Sequence, residues 1–181
     1  SAGTQRTPRL VGVKSAIDIM TTGKPVKAEK ALAIGAIDEI VDDLKSGAVA
    51  FAKKVIENAT PLKRVSKSEE RVEKNSENLE VIEQERAKWK KNSPHLNAPQ
   101  KIIDCVEQAV LLDYAGGMNF EQKTFQGLMD SDQSKSLIHA FFAERKSNKI
   151  PELERGAKPR PISKLGVIGG GTMGSGITIA A

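Results

Sequence analysis

Residues 164–168, an apolar run through Leu165, Val167 and Ile168, lead directly into Gly169-Gly170-Gly171-Thr172-Met173-Gly174. A short apolar run of this kind reads as a strand buried on both faces, and G-x-G-x-x-G after such a strand reads as a strand-to-helix turn. Each glycine has its own reason. Gly169 permits the tight turn, Gly171 lets backbone approach a pyrophosphate, and Gly174 lets the following helix pack close to the strand. The positive end of that helix then receives the anion. Gly169, Gly171 and Gly174 are therefore the candidate cofactor-binding residues; an ordinary Gly-rich turn is the competing reading. A complete βαβ unit takes about 30 residues, with its ribose-binding acid about 20 residues after the glycines. Here residues 175–181, the start of a helix, are all that follow. One strand and half a helix cannot bury a parallel-sheet face. The chain is thus expected to be a piece of something longer, and alone not to bind a dinucleotide usefully.

Everything before that stretch reads as helical. Thr7 as cap and Pro8 at the first helical position predict a helix over 7–22, weakened at Gly12. A short helix over 27–34 ends at Gly35, the usual helix-closing residue, and 37–41 reads as extended. Val49, Phe51, Ala52, Val55 and Ile56 predict a helix over 47–58, stopped by Pro61. Residues 62–92 read as one charged helix whose thin stripe, Val65, Val72 and Leu79 every seven residues with Ile82 and Trp89, suits a surface position. After a loop over 92–99, residues 101–112 form the most apolar helix and should be core. Gly116-Gly117 reads as a turn, followed by helices over 120–129 and 133–146. Pro151, Gly156, Pro159 and Pro161 among charged residues then mark an exposed linker.

Composition narrows the function classes. No apolar run approaches the 18 or so residues that a bilayer-spanning helix needs, so no membrane span is expected. The single Cys105 excludes an internal disulfide framework and a Cys-based zinc cluster. Its place beside Ile102 and Val106 reads as a buried inert thiol rather than a nucleophile. The net charge of +5 favours anionic partners only weakly. Residues 63–91 carry nine basic side chains and seven Glu with the signs interleaved. Trp89 is the only aromatic there, so a solvated helix face is the reading and no nucleic-acid partner is expected. Glu29, Asp38, Glu39, Asp42 and Asp43 read as a solvated acidic face. His95 and His139 are far apart with no ligand cluster around them, so no metal is expected. Ser163-Lys164-Leu165 spells a peroxisomal signal that is read only at a C-terminus, and here it is internal.

Several stretches resemble one family. Gly3-Thr4-Gln5-Arg6-Thr7-Pro8-Arg9-Leu10-Val11-Gly12 resembles the G-T-Q-R-L-P-R-L-x-G stretch of enoyl-CoA hydratases of the crotonase superfamily. Thr22-Gly23 with residues 28–41 is similar to the family's T-G-x-x-x-x-A-x-x-A-x-x-x-G-x-V-x-x-V-V stretch. Residues 140–146 resemble the end of its C-terminal helical region. Residues 162–177 resemble the opening of 3-hydroxyacyl-CoA dehydrogenase. A crotonase end followed by that opening matches the bifunctional enzymes of fatty-acid β-oxidation.

The resemblance implies a mainly α fold: the helical C-terminal part of a crotonase-like domain over 1–146, a linker over 147–161, and an incomplete Rossmann βα unit over 162–181. It implies hydration of trans-2-enoyl-CoA and oxidation of 3-hydroxyacyl-CoA by NAD. Two glutamates and two backbone N–H groups do the first step, which is general acid–base catalysis with oxyanion stabilisation. Those groups lie upstream of Ser1, and the dehydrogenase's His–Glu pair lies downstream of Ala181. No catalytic residue is therefore assigned, and the chain alone is expected to be inactive. Acyl-CoA is the implied substrate, NAD the implied cofactor, and self-association or a thiolase subunit the implied partners. Arg145, Lys146 and Lys149 read as a solvated cluster, with a CoA phosphate contact as the alternative the resemblance offers. A bacterial cytoplasm is the expected location; a peroxisome or mitochondrion fits one unpaired Cys equally. A helical interaction or oligomerisation module without catalysis is the alternative function.

Overall fold

The computed structural model describes residues 2–181 except 62, 148, 151–155, 157 and 159. It is mainly α, and no β-strand is assigned among the described residues. The chain divides into two compact units, Ser1–Ser136 and Leu137–Ala181. The first holds α1 (Gly3–Val11), α2 (Val13–Thr22), α3 (Ala28–Ala33), α4 (Leu44–Glu57), α5 (Ser76–Asn92), α6 (Asn97–Leu111) and α7 (Tyr114–Met129). Helix α8 (Asp132–Ser147) begins in the first unit and ends in the second, which also holds α9 (Thr172–Ala180).

The first helix starts earlier than its sequence suggests. Thr7 is not a cap and Pro8 is not at the first helical position; both lie inside α1. The cap comes instead from α7. The buried Glu121 carboxylate accepts from the Ala2 backbone N–H (2.6 Å), the Thr4 N–H (3.1 Å) and the Thr4 hydroxyl (2.5 Å). A carboxylate at a helix N-terminus satisfies otherwise orphaned donors and complements the helix dipole. Gly12, at φ +82°, then breaks the helix in two, as its position suggests.

The Gly116-Gly117 turn is overturned. Both glycines lie in the first turn of α7, which Asp113 caps by accepting from the Gly116 N–H at 2.8 Å. What glycine provides here is close approach. A Cβ on Gly117 would fall 2.0 Å from the Gln5 Oε1, so α1 and α7 touch where no larger residue fits.

The continuous charged helix over 62–92 is also overturned. Residues 65–67 and 70–72 form short 3-10 turns, and α5 begins only at Ser76. The missed signal was Asn75, whose side chain accepts from the Asn78 N–H at 2.9 Å; Asn is a preferred N-cap. The seven-residue repeat of Val65, Val72 and Leu79 therefore does not lie along one helix. Arg71, in the second turn, donates to the Ile34 carbonyl at 2.9 Å and covers the end of α3 beside Gly35. The extended stretch over 37–41 is loop, not strand. Helix α4 starts at Leu44, because Asp43 caps it by accepting from the Ser46 N–H (2.8 Å) and hydroxyl (2.5 Å). Those two bonds hold the Asp43 carboxyl below the usual range.

Helix α6 is the core helix its composition predicts. Ile103, Val106 and Val110 pack with Val13 and Ile17 of α2, with Val72 and with Ile82 of α5; Met20, Leu79, Val81 and Trp89 lean on this cluster. The cluster is aliphatic, as a chain with 4% aromatics demands. Around its edge, Arg86 of α5 binds Asp104 and Glu107 of α6, the latter at 2.9 Å, and α5's own Glu83 at 3.5 Å. Burial lowers the Arg86 pKa most, but these carboxylates outweigh it and raise the value overall. Gln133 ties the start of α8 to the turn before α6, donating to the His95 carbonyl at 2.5 Å and accepting from the Asn97 N–H at 2.8 Å.

Two glycines in one helix give opposite expectations. Gly117→Ala should destabilise the chain by about 1–3 kcal/mol, because its methyl would overlap Gln5. Gly127→Ala, exposed in α7 with nothing within 4 Å, should stabilise it by about 0.5–1 kcal/mol. Urea unfolding of the two variants checks both signs; a neutral Gly117→Ala would contradict the packing described.

Candidate glycine-loop site

The three glycines come together as one turn in the second unit. Gly169 has φ +102°, a region that side-chain-bearing residues rarely adopt. Gly171, at φ −70° and ψ −176°, is the extended residue before α9. Its carbonyl accepts from the Ser175 N–H at 2.9 Å, and the Ser175 hydroxyl donates to the Gly170 carbonyl at 3.0 Å. Gly174 lies in the first turn of α9. A Cβ there would sit 1.9 Å from the Gly169 oxygen and 3.5 Å from the Val167 Cγ1. On Gly171, by contrast, a Cβ would meet nothing within 4 Å.

These facts separate the roles. Gly169 supplies a conformation, Gly174 supplies room for the preceding backbone, and Gly171 leaves an open approach beside the free N–H groups of the first helical turn. That donor set suits the oxygens of a phosphate or pyrophosphate. Ser175, unremarked in the sequence, adds the hydroxyl bond that fastens the loop. Its signal was its place in the first turn, where Ser prefers to bond nearby backbone.

The buried strand expected over 164–168 is not formed. Leu165 and Ile168 are exposed, Ile168 completely. A strand is held by ladder hydrogen bonds to a neighbour, and no described residues pair with this stretch. Most of the expected linker at 147–161 lies outside the described residues. Arg145 stacks over the Phe141 ring at 4.3 Å within α8, while Lys146 is simply exposed.

The stretch from Gly3 to Gly12 turns out to be a buried polar junction. Gln5 is 0% exposed and donates to the Cys105 carbonyl at 2.8 Å. Arg9 is buried too, donating to the Gln5 carbonyl at 2.8 Å and the Ala109 carbonyl at 3.5 Å, with its guanidinium over the Tyr114 ring at 5.2 Å. Burial lowers its pKa against the pull of Glu69, Tyr114 and Asp113. These side chains join α1 to α6 and α7, and their work is structural. Periodicity could not reveal this, because a buried Gln and Arg look like surface residues in a helical pattern.

Cys105 is buried on α6 as expected. Burial pushes its thiol up, against hydrogen bonds with Thr124 and Thr4. His95 sits in the turn before α6 and His139 on α8. Among the described residues, no three His, Cys, Asp or Glu side chains group as metal ligands, and no helix is long and apolar enough to cross a membrane.

No family model matches the chain. Curated relatives do. The chain is 39% identical to the glyoxysomal fatty acid beta-oxidation multifunctional protein of Cucumis sativus, over 98% of its own length and 25% of that protein's. It is 38% identical to the fatty acid oxidation complex subunit alpha of Shewanella frigidimarina, over 97% of its length and 25% of the relative's. It is 34% identical to the peroxisomal bifunctional enzyme of Homo sapiens, over 98% and 25%. The chain is homologous to a segment of the fatty-acid β-oxidation multifunctional proteins. It spans about a quarter of their length. Among these β-oxidation relatives are proteins named for glyoxysomes and peroxisomes and one from a bacterium. One match covers 98% of the chain, so the α1 junction and the glycine loop fall within a single alignment.

The raised Cys105 pKa gives a signed pH effect. The folded chain holds the thiol proton more tightly than the unfolded chain. Its contribution is therefore intact below the ordinary thiol pKa of about 8.5 and is lost as pH rises through the higher folded value. Urea midpoints measured from pH 7 to pH 10 should fall more steeply for the native sequence than for Cys105→Ala; parallel curves would show that the thiol is not desolvated.

Proposed function

We propose that this chain is the joining region of a bifunctional β-oxidation enzyme. Residues 1–146 are the C-terminal part of the enoyl-CoA hydratase region, 147–161 the linker, and 162–181 the start of the NAD-binding 3-hydroxyacyl-CoA dehydrogenase domain. The observation that carries the reading is the continuity of the similarity. A single alignment, at 39% identity for the cucumber relative, covers 98% of the chain and joins the hydratase-like start to the dehydrogenase-like end. The relatives' names favour this over a helical interaction module without catalysis.

In this reading, water adds across trans-2-enoyl-CoA and the resulting 3-hydroxyacyl-CoA is oxidised. Gly169, Gly171 and Gly174 hold the NAD pyrophosphate, the first two by backbone shape and approach, the third by keeping α9 against the turn. NAD, when bound, supplies the hydride acceptor for the second step. The chain's own contribution is to orient and neutralise phosphate at the α9 N-terminus. Helices α1, α2, α6 and α7 are scaffold for the hydratase, with Gln5, Arg9 and Glu121 fixing their junctions. No residue of this chain is assigned a proton-transfer role. The Shewanella relative is named as a complex subunit, which supports a partner subunit for the whole protein; a thiolase subunit or self-association is the form proposed for it. A bacterial cytoplasm is the proposed location, supported by the Shewanella relative, with a peroxisome, supported by the plant and mammalian relatives, or a mitochondrion as the alternatives.

The full protein that carries this sequence should produce NADH from crotonyl-CoA and NAD, which needs both activities in sequence; hydration without NADH would remove the dehydrogenase half of the proposal. In that protein Gly174→Val should weaken NAD binding by about tenfold or more, roughly 1.4 kcal/mol, while crotonyl-CoA hydration stays at its native rate. Equal loss of both would mean that the glycine loop serves general stability. The 181-residue chain alone should hydrate crotonyl-CoA no faster than buffer, and measurable turnover would place catalytic groups among its own residues.

A further inference from the structure

No further inference is drawn: the strongest candidate, the apolar cavity of about 340 Å³ between α1, α2, α6 and α7 lined by Met20, Ile102, Cys105, Phe125 and Leu128, carries nothing because nothing in the structure shows what covers it.

Discussion

The burial of α1's polar face against α6 and α7 is the constraint on which the first unit depends. A buried amide, guanidinium and carboxylate each carry a desolvation cost, and each must find partners. Gln5 reaches the Cys105 carbonyl, Arg9 reaches the Gln5 and Ala109 carbonyls, and Glu121 takes the donors at the start of α1. The three partnerships share one geometry. Moving α1 along its axis would strand all of them, and at Gly117 α7 comes so close that Gln5 occupies the space a side chain would need. Apolar packing by Ile17, Ile103 and Val106 supplies cohesion without direction; the polar junction supplies the register. This division of labour explains how a helix with so few apolar residues packs against α2, α6, α7 and both 3-10 turns.

The second unit rests on a different economy. Its glycine loop is organised by local contacts: a positive φ at Gly169, an extended Gly171, a carbonyl seated where the Gly174 side chain would be, and the Ser175 hydroxyl on the Gly170 carbonyl. Such a turn needs no core to define its shape. The stretch before it does need one, and Leu165 and Ile168 stand exposed for lack of paired strands. The loop is thus formed while the sheet that would support it is not. The same contrast holds on α8, where Leu137, Ile138, Phe141 and Phe142 are all exposed. Apolar side chains in this number on open surface mark faces built for contact.

The legibility of the sequence follows from which forces are local. Gly12, Gly35 and the glycines at 169, 171 and 174 could be read directly, since a left-handed or close-packed backbone is a property of the residue itself. Helix α6 was legible because its apolar stripe is dense. The Gly116-Gly117 pair was misread because the reason for it lies in Gln5, more than a hundred positions away. The start of α1 was misread for the same cause: its cap, Glu121, is distant, so the nearer Thr7 and Pro8 looked decisive. The break before α5 is local and legible in Asn75, a preferred N-cap that outweighs the seven-residue repeat. The strand over 164–168 had a sound pattern, but a strand exists only with its neighbours. The kinship to the β-oxidation multifunctional proteins is legible through resemblance at the two ends, residues 3–12 and 162–177, rather than through any catalytic constellation.

In the proposed function these residues join two enzymatic halves in one polypeptide. Intact-mass analysis of the natural protein that carries residues 1–181 tests it most directly. Because the chain spans 25% of the length of the cucumber, Shewanella and human relatives, a single polypeptide about four times as long is expected, with sequence flanking both Ser1 and Ala181. A mature protein whose mass matches these 181 residues alone would contradict it.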